Sequence, residues 1–269
     1  MDIRKALEYV REHGTDLDRA RAETLVAWMP PAAEAVKVLE QTQGVDGGWS
    51  LDVAPGQPST VPGTCEVLAL AHDWGLFQAP LVHRGLEYLQ SQQQPDGGWT
   101  DTAVPEQPLP RWLTQGEEAG RLYVTAWASS ILVAYNRHNE PAAGKALDLL
   151  LKHQLEGGLF EGFPLHTAWY ALPVLAHILG MRSGPAQNIL QSLSQELAAP
   201  NWFPSMFATM LYNLLLAGYG METPLVRITW EQILMRQRED GAWASEDGDA
   251  GDVRSTIEVM RCWRKIVKK

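Results

Sequence analysis

The chain has 269 residues, 45% hydrophobic and 20% charged, with a net charge of −10 and two cysteines. Such a composition is that of a globular body, and its acidity excludes nucleic-acid binding, which needs basic surface to displace counterions. No apolar run approaches the roughly 18 residues of a membrane-spanning helix, and Cys65 and Cys262 make no disulfide framework, so a cytoplasmic protein without integral membrane association is expected.

Helical periodicity, with Pro at helix starts and Gly at helix ends, predicts twelve helices. They fall near 3–13, 17–29, 31–43, 60–75, 80–94, 121–138, 141–154, 164–180, 184–198, 203–219, 223–237 and 251–267. The first is amphipathic, MDIRKALEYVREH, without a signal-peptide core. The helices near 31–43, 80–94, 141–154 and 223–237 are charged on one side and read as half-exposed. Those near 60–75, 121–138, 164–180 and 203–219 are apolar or small nearly all round and read as buried. Residues 100–120, TDTAVPEQPLPRWLTQGEEAG, form a Pro-rich excursion too long to be a simple connection. A lid and a passive insertion both fit it.

Five segments carry one pattern, a helix-ending Gln or His, an acidic-Gly turn and an aromatic. They read QTQGVDGGW (41–49), QQPDGGW (93–99), HQLEGGLF (153–160), the degenerate APNWF (199–203) and RQREDGAW (236–243). Each precedes an apolar helix with a Thr near its start, at Thr64, Thr125, Thr167, Thr209 and Thr256. Repetition every forty-odd residues means stacked helical hairpins. Six exposed helices alternating with six buried ones predict an all-α fold, an α6/α6 double-ring toroid, as a single domain over 1–269. Its inner helices are expected to run parallel, with their N-termini at one mouth.

The Gln…Asp-Gly-Gly-Trp turns resemble the QW motifs of squalene–hopene and oxidosqualene cyclases and related class II terpene cyclases, a fold that protein prenyltransferase β subunits share. The resemblance covers about residues 31–269. It implies a hydrophobic small-molecule substrate, an isoprenoid or isoprenoid-bearing compound, cyclised through carbocations after an acid protonates an alkene. The family's acid motif, Asp-x-Asp-Asp-Thr-Ala, is nearest to Asp252-Val253-Arg254-Ser255-Thr256, where Arg254 stands at the donor position. His166-Thr167-Ala168-Trp169-Tyr170 is similar to the segment that supplies the prenyltransferase zinc His. The preceding inner helix, Tyr123-Val124-Thr125-Ala126-Trp127, has neither the Asp nor the Cys, so no zinc site is expected. Gly120-Arg121 is similar to the start of that family's diphosphate-binding segment. Arg121 and Arg111 would welcome a prenyl diphosphate at the mouth, with Mg²⁺ as its companion; otherwise no cofactor is expected.

Residues four apart share a helix face. If the positions two before and two after each Thr face a common cavity, its lining includes Tyr123, Leu165, Phe207 and Arg254, then Glu66, Trp127, Trp169, Leu211 and Glu258. Trp127 and Trp169 serve equally as core filling. Arg254 and Glu258, an i,i+4 pair, can simply neutralise each other. Glu66 lies in the apolar run GTCEVLALA, where a protonated general acid is favoured over an ionised carboxylate. Asp252 reads as a helix N-cap or a catalytic carboxylate, and His166 as a base, a ligand contact or a packing residue.

The expected function is therefore a stand-alone terpene cyclase-like enzyme. Glu66, Glu258 or Asp252 would be the acid and Tyr123, Trp127, Trp169 and Phe207 the cation-shaping wall. The competing readings are a non-catalytic toroid holding a lipid or protein partner and, third, prenyl transfer without zinc.

Overall fold

A computed structural model describes residues 1–100, 118–199 and 201–267. Most of the excursion expected over 100–120, and Arg111 with it, lies outside the described residues. Among the described residues the regular structure is helical, with two isolated β-bridges, Trp49 to Thr60 and Gln154 to Phe160. None of the helices is long and apolar enough to cross a membrane.

The helices are α1 (Ile3–His13), α2 (Asp16–Ala27), α3 (Ala33–Thr42), α4 (Val61–Asp73), α5 (Pro80–Gln92), α6 (Glu118–Ala134), α7 (Pro141–His153), α8 (Pro164–Leu179), α9 (Gly184–Glu196), α10 (Pro204–Leu216), α11 (Pro224–Leu234) and α12 (Asp252–Val267). Local chemistry sets their starts. Asp2 accepts the backbone N–H groups of Arg4 and Lys5, and Thr15 with Asp18 forms a reciprocal capping box. Pro opens α5, α7, α8, α10 and α11, where its missing N–H costs no helical hydrogen bond. Several helices stop short of their expected ends. Trp28 turns to φ 61° after α2, and Asn136 to φ 59° after α6, where the Arg137 N–H returns to the Leu132 carbonyl at 2.7 Å.

Cα packing divides the chain into two compact units, Met1–Val36 with Ser194–Lys269, and Lys37–Leu193. In the first, α12 packs on α10, α2 and α1. In the second, α6 packs on α4, α7 and α8. Helices α4, α6, α8 and α10 are buried nearly all round, whereas α5, α7 and α11 bury a single stripe.

The repeated turns act as clasps. In three of them the aromatic's backbone N–H donates to the Thr hydroxyl of the following helix: Trp49 to Thr64 (3.0 Å), Trp99 to Thr125 (3.0 Å) and Trp243 to Thr256 (3.2 Å). Each hydroxyl in turn donates to the carbonyl four residues back, of Thr60, Arg121 and Asp252. The indole N–H groups donate to carbonyls of the preceding helix, those of Leu39, Leu89 and Ile233. The Gln side-chain NH₂ groups close the turns and also reach the next exposed helix. Gln43 reaches Leu81, Gln93 reaches Ala142 and Gln154 reaches Pro185.

The last clasp uses the first helix. Gln237 donates to the Asp2 carbonyl at 2.8 Å and accepts the Asp2 N–H at 2.6 Å. Thus α1 occupies, for the fifth repeat, the place that α5, α7 and α9 take for the first three.

The degenerate fourth repeat departs from the register. Thr209 is half-buried, and Trp202 donates to the Glu196 carbonyl only six residues back. In the third repeat Phe160 has no indole N–H, and the buried Thr167 hydroxyl has no hydrogen-bond partner among the described residues.

Glycine is required inside the clasp. Gly97 has φ 96°, and a Cβ there would lie 2.2 Å from the Lys145 carbonyl oxygen on α7. Gly97→Ala is expected to cost about 1–3 kcal/mol or more through backbone strain and displacement of α7. Thr125→Val, which leaves the buried Trp99 N–H without its acceptor, should cost about 1–3 kcal/mol, and Thr125→Ser much less. Urea denaturation midpoints check all three.

Candidate functional site

Within the Lys37–Leu193 unit, α6 and α8 place six rings in one cluster. Tyr123 is its hub. Its ring centroid lies 5.6 Å from Tyr170, 6.1 Å from Trp127, 6.1 Å from Phe163 and 6.3 Å from His166. Trp127 and Tyr170 are 5.9 Å apart, and His166 lies 4.5 Å from Trp169. Edge-to-face contacts such as Tyr123 on Tyr170 match the positive rim of one ring to the negative face of the other. Tyr123 and Trp127, one helical turn apart, share a face of α6 as expected. On α8 the face that meets them holds His166 and Tyr170, one position on from the expected Leu165 and Trp169. Trp169 is fully buried behind it.

Glu66 stands on α4, half-buried between the fully buried Cys65 and the buried Val67. The clasps of Thr64 and Thr125 align α4 with α6, so Glu66 occupies the register position that Trp127 holds on the adjacent helix.

Arg121, in the first turn of α6, is committed to carboxylates. Its guanidinium lies 2.5 Å from Asp96 Oδ2 and donates to both Glu118 oxygens at 3.2 and 3.3 Å. His153 Nε2 approaches Glu118 at 3.5 Å. The Gly98 backbone N–H, together with Arg121, holds the Asp96 carboxyl below its ordinary range.

The other candidates lie in the Met1–Val36/Ser194–Lys269 unit. Asp252 begins α12 without capping it. Its oxygens accept from the Ser245 N–H at 2.8 Å and from Arg238 at 2.5 Å, bracing the preceding loop. Arg238 also binds Asp240, which lowers the Asp240 carboxyl and raises the guanidinium. Glu258 pairs with Arg261 at 2.6 Å and approaches Arg21 at 3.8 Å, while Arg254 is exposed on the first turn of α12. Arg261 also lies over the Tyr212 ring, 3.7 Å from its centroid. Phe207 is buried, stacked on Trp202 at 5.2 Å with Arg236 at 5.0 Å, and Leu211 is fully buried.

Phe163, Arg21, Arg261 and Tyr212 escaped the sequence reading. The i,i+3 spacing of Glu258 and Arg261 was a usable signal. Nothing in the sequence pointed to Arg21, which comes from α2. Among the described residues no three His, Cys, Asp or Glu side chains are grouped so as to hold a metal ion.

Buried helices clasped by Gln–Trp turns, with an aromatic cluster between two of them, define the helical domain of the squalene–hopene cyclase type. The squalene-hopene cyclase C-terminal domain profile matches residues 26–169, more than half of the chain, and the chain belongs to that family. Solved structures share the fold over nearly the whole length. A protein from Actinoplanes is 18% identical, covering 98% of both chains at a TM-score of 0.67. The type II terpene cyclase MstE from Scytonema is 17% identical, covering 99% of this chain and 97% of its own at a TM-score of 0.62. An MstE variant in complex with its substrate, geranylgeranyl dihydroxybenzoate, is 16% identical, with 99% and 96% covered at a TM-score of 0.62. No curated protein sequence matches.

The depressed Asp96 and Asp240 carboxyls give acid sensitivity a sign. A carboxyl lower in the folded than in the unfolded chain contributes stability above its unfolded pKa of 3.8, and that contribution is lost as pH falls through the folded value. Both side chains are about half-exposed, so solvent screening keeps the contribution small. Denaturation midpoints should drop as pH falls below about 4, and by less in an Asp96→Asn, Asp240→Asn protein.

Proposed function

We propose that this protein is a type II terpene cyclase-like enzyme acting on an isoprenoid or isoprenoid-bearing compound. The observation that carries the reading is the ring cluster around Tyr123, with a carboxyl, Glu66, at the matching register position on the next helix. Family membership and the substrate-bound Scytonema cyclase agree with it.

In this mechanism the Glu66 carboxyl transfers its proton to one carbon of a terminal alkene. The alkene π pair forms the new C–H bond and leaves a tertiary carbocation, which the next alkene captures to close a ring. Tyr123, Trp127 and Tyr170 present aromatic faces to the migrating charge. Each desolvated face is worth about 0.5–2 kcal/mol to a cation. His166, at the cluster's edge, takes the proton lost from the last cation, and Glu66 regains one from solvent. Glu66 is preferred over Asp252 and Glu258 because it belongs to the same compact unit as the Tyr123 cluster, on the helix packed beside α6. No metal or other cofactor enters these steps.

A second reading, a toroid that binds an isoprenoid or a protein partner without converting it, draws support from Arg254. It stands where class II cyclases carry the donor Asp and is exposed.

Incubation with geranylgeranyl dihydroxybenzoate, followed by mass spectrometry and NMR of the extract, separates the two. An isomer of unchanged mass with fewer alkene protons is expected. Glu66→Gln should lower turnover by about 10²-fold or more with uptake retained, in line with removal of a general acid. Tight uptake with no conversion by the wild type across the pH range would establish the binding reading instead.

A further inference from the structure

Away from the clasps, the C-terminal ends of α6 and α8 bring two imidazoles together. His138 follows α6 in the turn that leads to α7, and His177 lies in the last turn of α8. They are distant in sequence and meet because α6 packs on α8. Their ring centroids are 4.9 Å apart, with the ring planes tilted by 47°. The turn that carries His138 is fixed by its own backbone. Asn136 takes φ 59°, the Arg137 N–H returns to the Leu132 carbonyl at 2.7 Å, and the Glu140 N–H reaches the Arg137 carbonyl at 3.1 Å. His138 is half-buried, and its Nδ1 is buried with no hydrogen-bond partner among the described residues. His177 is exposed, so a small ion reaches the pair directly from solvent.

Imidazole nitrogen suits divalent transition ions such as Zn²⁺, Ni²⁺ and Cu²⁺. With a metal about 2.1 Å from each nitrogen, two imidazoles on one tetrahedral or octahedral ion hold their centroids about 4.5–5.2 Å apart, which brackets the observed 4.9 Å. The carbonyl ends of α6 and α8 add a potential that favours a cation. Arg137, the cation beside His138, is offset by Glu140 at 3.0 Å. A buried ring nitrogen such as His138 Nδ1 calls for a partner, and an ion is one. We propose that His138 and His177 form a two-imidazole site for a divalent transition-metal ion, with water completing the coordination. Two protein ligands, where an enclosed structural zinc site has four, make the ion exchangeable. The ion staples the end of α6 to the end of α8, the two helices that carry the Tyr123 cluster. A ligand that binds only the folded chain, and closes the long segment between its two contacts, stabilises the fold. The site takes no part in the proposed reaction and does not depend on it.

The experiment titrates the full chain, stripped with EDTA and moved to chelator-free buffer at about pH 8, above the ordinary imidazole range, with zinc chloride in a calorimeter. One ion per chain is expected, saturating below about 100 µM, with a rise in melting temperature that EDTA reverses. His138→Gln and His177→Ala should each lower the affinity by about tenfold or more and remove the rise. His83→Ala, on α5 of the same unit, should change neither. His177 is exposed, so its substitution spares the fold, and melts of the metal-free variants verify this. Copper(II) gives the direct readout, because this ion binds nitrogen sites most tightly. Its electron paramagnetic resonance spectrum should show two nitrogen ligands in wild type and one or none in either variant. Zinc binding that saturates only above about 100 µM overturns the inference. So does binding, or a copper spectrum, that both substitutions leave unchanged.

Discussion

The fold depends on one buried hydroxyl repeated through the chain. In three repeats a Thr oxygen accepts the N–H of a Trp and donates to a carbonyl of its own helix. Unmade bonds of this kind in a dry interior each cost about 1–3 kcal/mol, so turn and helix hold each other in register. The indole then spans to the preceding helix and the Gln amide to the next one. A short motif thereby ties together three helices that are neighbours in space. Where parts of the motif are missing, the clasp is incomplete: the Thr167 hydroxyl has no partner among the described residues, and Thr209 is only half-buried.

This framework explains why ionisable residues near the clasps serve structure. Arg121 joins a turn to the start of α6, and Arg238 joins a turn to the start of α12. Each is neutralised by carboxylates at the point where a cyclase or prenyltransferase comparison invites a catalytic or diphosphate role. Past the clasps the chemistry changes. The Tyr123 cluster is built of aromatic rings, the kind of surround that the proposed cation chemistry calls for. The sorting of charge to the clasps and of rings to the space between α6 and α8 joins architecture to the proposed reaction.

Much of this was legible in the residues. The family followed from the resemblance of the Gln…Asp-Gly-Gly-Trp turns. The five turns and the alternation of buried and exposed helices followed from spacing and composition, because a helix buried all round differs in sequence from one with a single apolar stripe. Tyr123 and Trp127 were found together for the same reason. On α8 the rings in contact with Tyr123 are His166 and Tyr170, one position on from the Leu165 and Trp169 that spacing alone selects. Sequence spacing identifies which side chains share a face but not how far the helix is rotated about its axis. That rotation is set by packing against α6. Likewise Glu258 was matched to Arg254 on its own helix, whereas one of its observed partners, Arg21, comes from α2.

The amino-acid sequence alone determined the helices, their turns and their family, since capping, periodicity and the Gln–Trp signature act within a few residues or repeat at a regular interval. Tertiary structure alone decided that Arg121 is enclosed by Asp96 and Glu118, that Glu258 is shared between Arg261 and Arg21, and that Tyr170 rather than Trp169 faces Tyr123. The physical reason is that charge pairing and ring contact depend on distances of a few ångströms between helices. Those distances depend on how the helices pack, which no local pattern along the chain encodes.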